Sequence, residues 1–187
     1  MRMAVAGWLG LIFALSELCL AIFKRAGAGS RGADRGSLRL LWLVIFASVS
    51  VAFWLSVRFP VLRFDSPNIG VFLGVSLFVS GLAIRWYSIV YLGRFFTVDV
   101  AIASDHRLID SGPYRFVRHP SYSGALMAFL GLGLSLCNWG SVAVIVLPAF
   151  VAFSRRIRIE EEALTAGLGD AYRDYRRRTR ALIPAVY

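Results

Sequence analysis

Apolar runs as long as a bilayer core is thick dominate this chain, separated by short polar stretches. A ~30 Å hydrocarbon layer requires about 20 apolar residues in one helix. Such runs extend from Ala4 to Phe23, from Leu38 to about Val57 and from Ile69 to about Leu92. In lipid a segment must satisfy its own backbone N–H and C=O groups, so these runs read as helices. A longer apolar stretch, Gly124 to Phe153, covers 30 residues. One helix of that length would reach about 45 Å, too long for a single crossing. Cys137-Asn-Trp-Gly-Ser in its middle reads as a tight turn. The expectation is a hairpin, Pro120 to Leu136 and Ser141 to about Glu162. The fold class is then an all-α integral membrane protein with five transmembrane helices, the last two paired. Residues 1–187 form a single membrane domain: two N-terminal spans in 1–68 and a catalytic core in 69–187.

Composition agrees with a membrane address. The chain is 58% hydrophobic with mean hydropathy +0.66, and only 17% of residues are charged. A net charge of +10 suits nucleic acid, but no basic helix or finger motif accompanies it. Basic residues in a membrane protein mark cytoplasmic faces more simply. Lys24, Arg25, Arg31, Arg35 and Arg39 follow the first run, whereas only Arg2 precedes it. That bias puts the N-terminus outside. Five spans then bring the tail, with Arg173, Arg176, Arg177, Arg178 and Arg180, into the cytoplasm; four would leave it outside. A cleaved signal peptide is the alternative for the first run, since Ala26-Gly-Ala-Gly-Ser resembles a cleavage site. The run exceeds the usual ~7–15 residues, and Lys24-Arg25 intervene, so an anchored span is expected. Lys24 is the one lysine among 21 basic residues, which suits a GC-rich bacterial genome and an inner membrane. Cys19 and Cys137 fall at opposite membrane faces and are expected to stay unpaired.

Several polar residues interrupt the spans. Glu17 should face other helices, because lipid does not solvate a carboxylate. Gly70, Gly74 and Gly81, with Ser76 and Ser80, permit close helix packing on the third run. Arg85 can snorkel, pair with Glu17 or face a site. Gly93 to His119 is a long cytoplasmic loop, too apolar and aromatic for disorder. Its first part, Gly93 to Ile102, suits an interfacial wall.

The most chemically distinctive stretch is Leu108 to Gly124, Leu-Ile-Asp-Ser-Gly-Pro-Tyr-Arg-Phe-Val-Arg-His-Pro-Ser-Tyr-Ser-Gly. Pro113 and Pro120 disfavour helix at the residues before them, and Pro120 fits a first helical turn. Free N–H groups at that helix start favour an anion. Arg115, Arg118 and His119 lie just ahead, and Tyr114, Phe116 and Tyr122 can stack on a flat or cationic ligand. A loop that merely touches lipid phosphates is the plainer reading. On the other arm of the hairpin, Arg156 and Glu160 are four apart and share a helix face. Glu161 is expected to point elsewhere, and Glu162 lies four from Arg158. Ion pairs stitching a helix end would account for this cluster. The hairpin, however, brings it to the same side as the 113–122 segment. Together they suit a ligand bearing both an ammonium and a carboxylate, the ammonium at Glu160 and the carboxylate at His119 or backbone N–H groups. The tail from Gly169 reads as a short helix capped by Asp170, with Tyr172 and Tyr175 suited to the membrane surface or to closing a pocket.

At these residues the chain resembles the isoprenylcysteine carboxyl methyltransferase family, within a wider group that includes phospholipid N-methyltransferases. The resemblance rests on Ser111-Gly-Pro-Tyr-Arg-Phe-Val-Arg-His-Pro-Ser-Tyr-Ser-Gly, Arg156-Ile-Arg-Ile-Glu-Glu-Glu, and Leu168-Gly-Asp-Ala-Tyr-Arg-Asp-Tyr followed by Leu182-Ile-Pro. It implies a membrane methyltransferase that uses S-adenosyl-L-methionine and releases S-adenosyl-L-homocysteine. The cofactor pocket would be built from loop 93–119 and the C-terminal segment. Its contacts would fall on Ser111, Gly112, Pro113, Tyr114, His119, Tyr122, Gly124, Ala125, Leu126 and Met127. Glu160 would hold the cofactor's amino group, and Arg156 would face the acceptor. No metal and no nucleic acid is implied. The partners are membrane lipids and a lipophilic acceptor, first a prenylcysteine-like carboxylate, otherwise a phospholipid amine or a hydrophobic thiol. An NADPH-dependent reductase of the sterol kind and a non-catalytic membrane scaffold are the competing readings. Nothing in the sequence sets an oligomeric state.

Overall fold

The computed structural model describes residues 1–23, 35–96 and 107–183. Residues 24–34, 97–106 and 184–187 lie outside the described residues. With them go most of the basic first loop, part of the expected interfacial wall and the last residue of Leu182-Ile-Pro. Every regular element among the described residues is helical: α1 (Arg2–Phe23), α2 (Arg35–Arg58), α3 (Pro67–Leu92), α4 (Pro120–Ser135), α5 (Trp139–Leu168) and α6 (Asp170–Arg178). Short 3-10 turns lie at Pro60–Leu62, Gly93–Phe95 and Gly112–Arg115.

Among the described residues, three helices are long and apolar enough to cross a membrane: Arg2–Phe23, Leu38–Arg58 and Pro67–Phe95. The fold is thus an all-α membrane protein. At 16 residues α4 is shorter than a usual span. At 30 residues α5 continues past the expected Glu162 to Leu168, where Gly169 turns the chain at φ +60°. That left-handed conformation favours glycine. Gly169 is also the residue before α6, and Asp170 is not its cap. Instead Asp170 sits in the first turn and pairs with Arg173 at 2.5 Å.

The tightest contact in the fold is α3 on α4, and glycine makes it. A Cβ on Gly81 would lie 2.5 Å from the Ala128 nitrogen and 2.6 Å from the Gly124 carbonyl. One on Gly74 would lie 2.6 Å from the Ser135 nitrogen, and one on Gly131 2.4 Å from the Gly74 carbonyl. Gly74 and Gly81 are seven apart on α3, as are Gly124 and Gly131 on α4. Two turns of each helix therefore meet backbone to backbone. Ser76 and Ser80, expected to share this seam, are exposed; the helical period turns them away from it. Gly81→Val should cost about 1–3 kcal/mol of stability by overpacking. Thermal unfolding in detergent reads that loss, with Gly7→Ala as the control, since nothing lies within 4 Å of a Cβ there.

Around this seam α1 packs on α3 and α4, and α2 packs along α5. Phe13, Phe78, Phe129, Leu132 and Phe153 fill the centre. The hairpin turn is the expected one. Cys137 adopts φ +53°, and the Asn138 side chain accepts from the Ser141 nitrogen at 3.0 Å to cap α5. Asn138 also donates to the Phe59 carbonyl at 3.1 Å, and the Phe64 nitrogen donates to the Cys137 carbonyl at 3.1 Å. The hairpin tip is thereby tied to the α2–α3 connection. Cys19 is exposed, Cys137 is buried, and both are free thiols.

Candidate active site

The opposite end of the hairpin gathers the polar residues. Pro120 opens α4 with His119 at its N-cap. The His119 carbonyl takes the Tyr122 and Ser123 nitrogens at 3.0 and 3.1 Å. Pro120 has no N–H. The helix start therefore offers few free donors, and the expected backbone anion site is largely consumed by the helix itself. The chain after α6 returns beside this segment. Arg118 and His119 donate their backbone N–H groups to the carbonyls of Arg180 and Ala181 at 2.8 and 3.0 Å, and the Ser123 hydroxyl donates to the Leu182 carbonyl at 2.6 Å. This short parallel pairing has no signal in the sequence, because it depends on where the tail docks.

Glu160 and Glu161 flank His119. The His119 ring nitrogens stand 3.9 Å from Glu160 Oε2 and 3.3 Å from Glu161 Oε1. Glu161, expected to point elsewhere, is buried at the centre of the cluster. Its Oε1 accepts from Arg118 Nε at 2.6 Å, and its Oε2 lies 3.3 Å from Arg176 Nε. Burial alone would raise its pKa; hydrogen bonds from His119 and Arg118 outweigh that and hold it at about 2. Arg118 also donates to the carbonyls of Arg176 and Thr179, so it clamps the tail to α5.

Glu160 is different. Its side chain is 32% exposed, against 8% for Glu161. It accepts from the Tyr122 hydroxyl at 3.1 Å, and that hydroxyl accepts from Arg156 Nε at 3.1 Å. Adjacent helical residues are about 100° apart, which lets Glu161 lock the tail while Glu160 stays open. Tyr172 adds an unsatisfied group. It is 2% exposed, and among the described residues its hydroxyl has no hydrogen-bond partner. Burial first, then the charges of Glu161 and Glu160, push its ionisation far above the ordinary range, so it is a neutral donor.

Arg156 is 4% exposed and lines an apolar cavity with Tyr122, Phe13, Leu41, Trp42 and Phe153. Glu17 and Arg85 line it too. Of the alternatives for Arg85, the structure selects the pair: Nε and Nη2 meet the two Glu17 carboxylate oxygens at 2.6 and 2.8 Å. Nη1 donates to the Ser121 carbonyl at 3.2 Å.

The other sequence-expected contacts lie elsewhere. Ser111 accepts from the Tyr91 hydroxyl at 2.9 Å. Gly112, at φ +56°, abuts the Tyr91 ring, where a Cβ would clash at 2.5 Å. Pro113 lies in the 3-10 turn with Tyr114. Tyr114 is buried, donates to the Ser88 carbonyl at 3.1 Å, and accepts at its own carbonyl from Tyr175 at 2.6 Å. Burial raises its ionisation as well. Gly124 faces α3 rather than the polar cluster, and Ala125 is fully buried in the core. Leu126 packs on Ile157, Ala181 and Leu182, and Met127 is half-buried. Arg158 and Glu162 are exposed, and among the described residues they do not pair with each other. Arg118, Glu161 and Tyr172 were not among the expected contacts. Arg118 stood in the motif, but nothing in Glu-Glu-Glu says which carboxylate faces inward.

The profile of the isoprenylcysteine carboxyl methyltransferase (ICMT) family matches residues 73–166. The chain belongs to that family. The match contains Arg85, His119, Tyr122, Arg156, Glu160 and Glu161, and stops short of α6. A probable protein-S-isoprenylcysteine O-methyltransferase of rice, Oryza sativa, is 33% identical over 117 residues, 62% of this chain and 61% of its own length. The protein-S-isoprenylcysteine O-methyltransferase of Schizosaccharomyces pombe is 36% identical over 108 residues, 57% of this chain and 46% of its own. A solved structure, of the eukaryotic intramembrane Ras methyltransferase ICMT, superposes with TM-score 0.66 at 26% identity, over 82% of this chain and 55% of that one. The matched region thus spans only about half to three-fifths of these ICMT relatives.

Proposed function

We propose that this ICMT-family chain is an S-adenosyl-L-methionine-dependent methyltransferase whose acceptor is the carboxylate of a lipophilic, prenylcysteine-like molecule. The observation that carries the reading is the state of Glu160. It accepts from Tyr122, has His119 at 3.9 Å, and stays 32% exposed where the neighbouring Glu161 is buried at 8%. That suits an incoming ammonium. The buried Tyr172 hydroxyl, which feels the charges of Glu161 and Glu160 and has no hydrogen-bond partner among the described residues, suits a further polar group of the same ligand. These features fit the cofactor, which when bound supplies an electrophilic methyl on sulfur and takes the S–C electron pair as S-adenosyl-L-homocysteine leaves.

The chain's own residues supply position and dryness. Glu160 and His119 hold the charged end of the donor. Tyr122 links that end to Arg156, and the Arg156 guanidinium orients an anionic acceptor in the apolar cavity. A carboxylate acceptor has no proton to lose, so the site requires alignment and desolvation more than a base. The Arg156 guanidinium on the cavity, where Glu17 already neutralises Arg85, favours an acid over the phospholipid-amine alternative. Family membership disfavours the reductase and scaffold readings.

The proposal extends to the membrane. α4 and the apolar part of α5, up to Phe153, form the fourth and fifth spans. The charged extension of α5 and the arginine-rich tail lie in the cytoplasm, the N-terminus lies outside, and the bilayer is a bacterial inner membrane. The domain is 1–187, with its catalytic core in 69–187, and the cofactor pocket draws on loop 93–119 and the C-terminal segment.

Titration of the detergent-purified chain with S-adenosylhomocysteine should saturate, and Glu160→Gln should weaken it at least ~10-fold, the loss of one charge-assisted contact of ~1.5–3 kcal/mol. Saturation by NADPH alone would select a reductase, and binding of neither ligand a scaffold. Transfer of labelled methyl to an N-acylated S-prenylcysteine, but not to its amide, identifies the acceptor group.

A further inference from the structure

Glu161 faces a second cleft, of about 360 Å³, that the proposed methyl transfer does not use. Arg118, Arg158, Arg176 and Arg180 line it, with Glu161 as the one carboxylate. Four guanidinium groups thus face a single acid, and the acid is already committed. It holds Arg118 at 2.6 Å, Arg176 at 3.3 Å and the His119 ring at 3.3 Å. Among the described residues the Arg158 and Arg180 side chains have no ion-pair or hydrogen-bond partner. The other arginines of α6 are balanced locally. Arg173 pairs with Asp170 at 2.5 Å, Arg177 with Asp174 at 3.1 Å and Arg178 with Asp110 at 2.5 Å. Of the arginines on α6 and in the chain after it, the one without an acidic partner among the described residues, Arg180, therefore lies at this cleft, beside Arg158.

Its position limits the counter-ion. Arg158 is five residues beyond Phe153, where the apolar run of α5 ends. Ile183, three residues after Arg180, is 50% exposed, and Ile157 and Ala181 give the cleft an apolar floor. Cationic groups at the edge of an apolar helix meet the phosphate layer of the leaflet. Guanidinium forks bind phosphate oxygens in pairs, and several converging on one cleft match an anion with several oxygens. We propose that this cleft binds the phosphate of an anionic phospholipid. The inference rests on the membrane orientation proposed above but not on the methyl transfer. Because Arg118 and Arg176 belong both to the cleft and to the Glu161 lock, an occupying lipid also holds the tail against α4 and α5.

The probe is a short-chain phosphatidic acid added to the detergent-purified full chain, read by thermal unfolding and by direct titration. Phosphatidylcholine of the same chain length and inorganic phosphate at matched ionic strength run beside it. Phosphatidic acid should bind saturably and raise the melting temperature, and R158Q/R180Q should weaken it at least tenfold. R173Q/R177Q removes the same charge away from the cleft and should leave the affinity within twofold. Equal affinity in wild type and R158Q/R180Q overturns the site. Inorganic phosphate binding as tightly as the lipid overturns the lipid assignment in favour of a soluble anion. Loss of S-adenosylhomocysteine binding in R158Q/R180Q, in parallel with the lipid, overturns it in favour of the cofactor. Retained S-adenosylhomocysteine binding with lost lipid binding supports it. If S-adenosylhomocysteine fails to bind even the wild type while the lipid behaves as expected, the methyltransferase reading fails and this one stands.

Discussion

Arg156→Ala is expected to lower turnover by about 10²–10³-fold, the usual cost of removing one preorganised charge-stabilising donor, while S-adenosylhomocysteine affinity changes far less. Arg156 is 4% exposed, lines the apolar cavity, and donates to the Tyr122 hydroxyl at 3.1 Å. In the proposed function its guanidinium orients the acceptor, so its effect should fall on kcat and on the acceptor's KM. Arg156→Lys should recover little, because a single ammonium cannot reproduce a bidentate fork. The assay is methyl transfer to a prenylcysteine carboxylate at saturating donor, beside a binding titration of S-adenosylhomocysteine. Equal losses in both measurements would assign Arg156 to the donor instead.

Glu17→Ala should destabilise the fold by about 3–5 kcal/mol, the cost of leaving one partner of a buried ion pair alone. The pair is bidentate, at 2.6 and 2.8 Å, and the two side chains are only 9% and 10% exposed. It joins α1 to α3, and through the Ser121 carbonyl to the start of α4. Both side chains line the cavity, so losing the pair should loosen its wall as well as the bundle. Replacing both partners, Glu17→Leu with Arg85→Met, should recover most of the loss, since a buried pair exchanged for apolar groups is often neutral. Unfolding in mixed micelles across the double-mutant cycle reads the coupling. Additive single effects would show that the two side chains act independently and that the bidentate geometry carries no weight.

The two halves of the site differ in how visible they were beforehand. The hairpin, its Cys137–Asn138 turn and the helix start at Pro120 follow from local rules: apolar length, turn residues and the fixed φ of proline. The glycine seam was half visible. Gly74 and Gly81 announced close packing, but their partners Gly124 and Gly131 emerged only when α3 met α4. Arg85 left three readings open, because its choice depended on α1, 68 residues away.

Sequence by itself determined that this chain is a set of membrane helices with basic ends, and that one polar, proline-marked segment returns near a Glu-rich helix end. Those properties are local, set by the hydrophobic cost of exposing each run and by backbone chemistry within a few residues. Tertiary structure alone decided that Glu161 locks the tail while Glu160 stays open, that Arg118 clamps Thr179, and that Glu17 neutralises Arg85. Helical periodicity states the angle between neighbouring side chains, but not how the whole helix is rotated about its axis. That rotation is chosen by packing against distant elements.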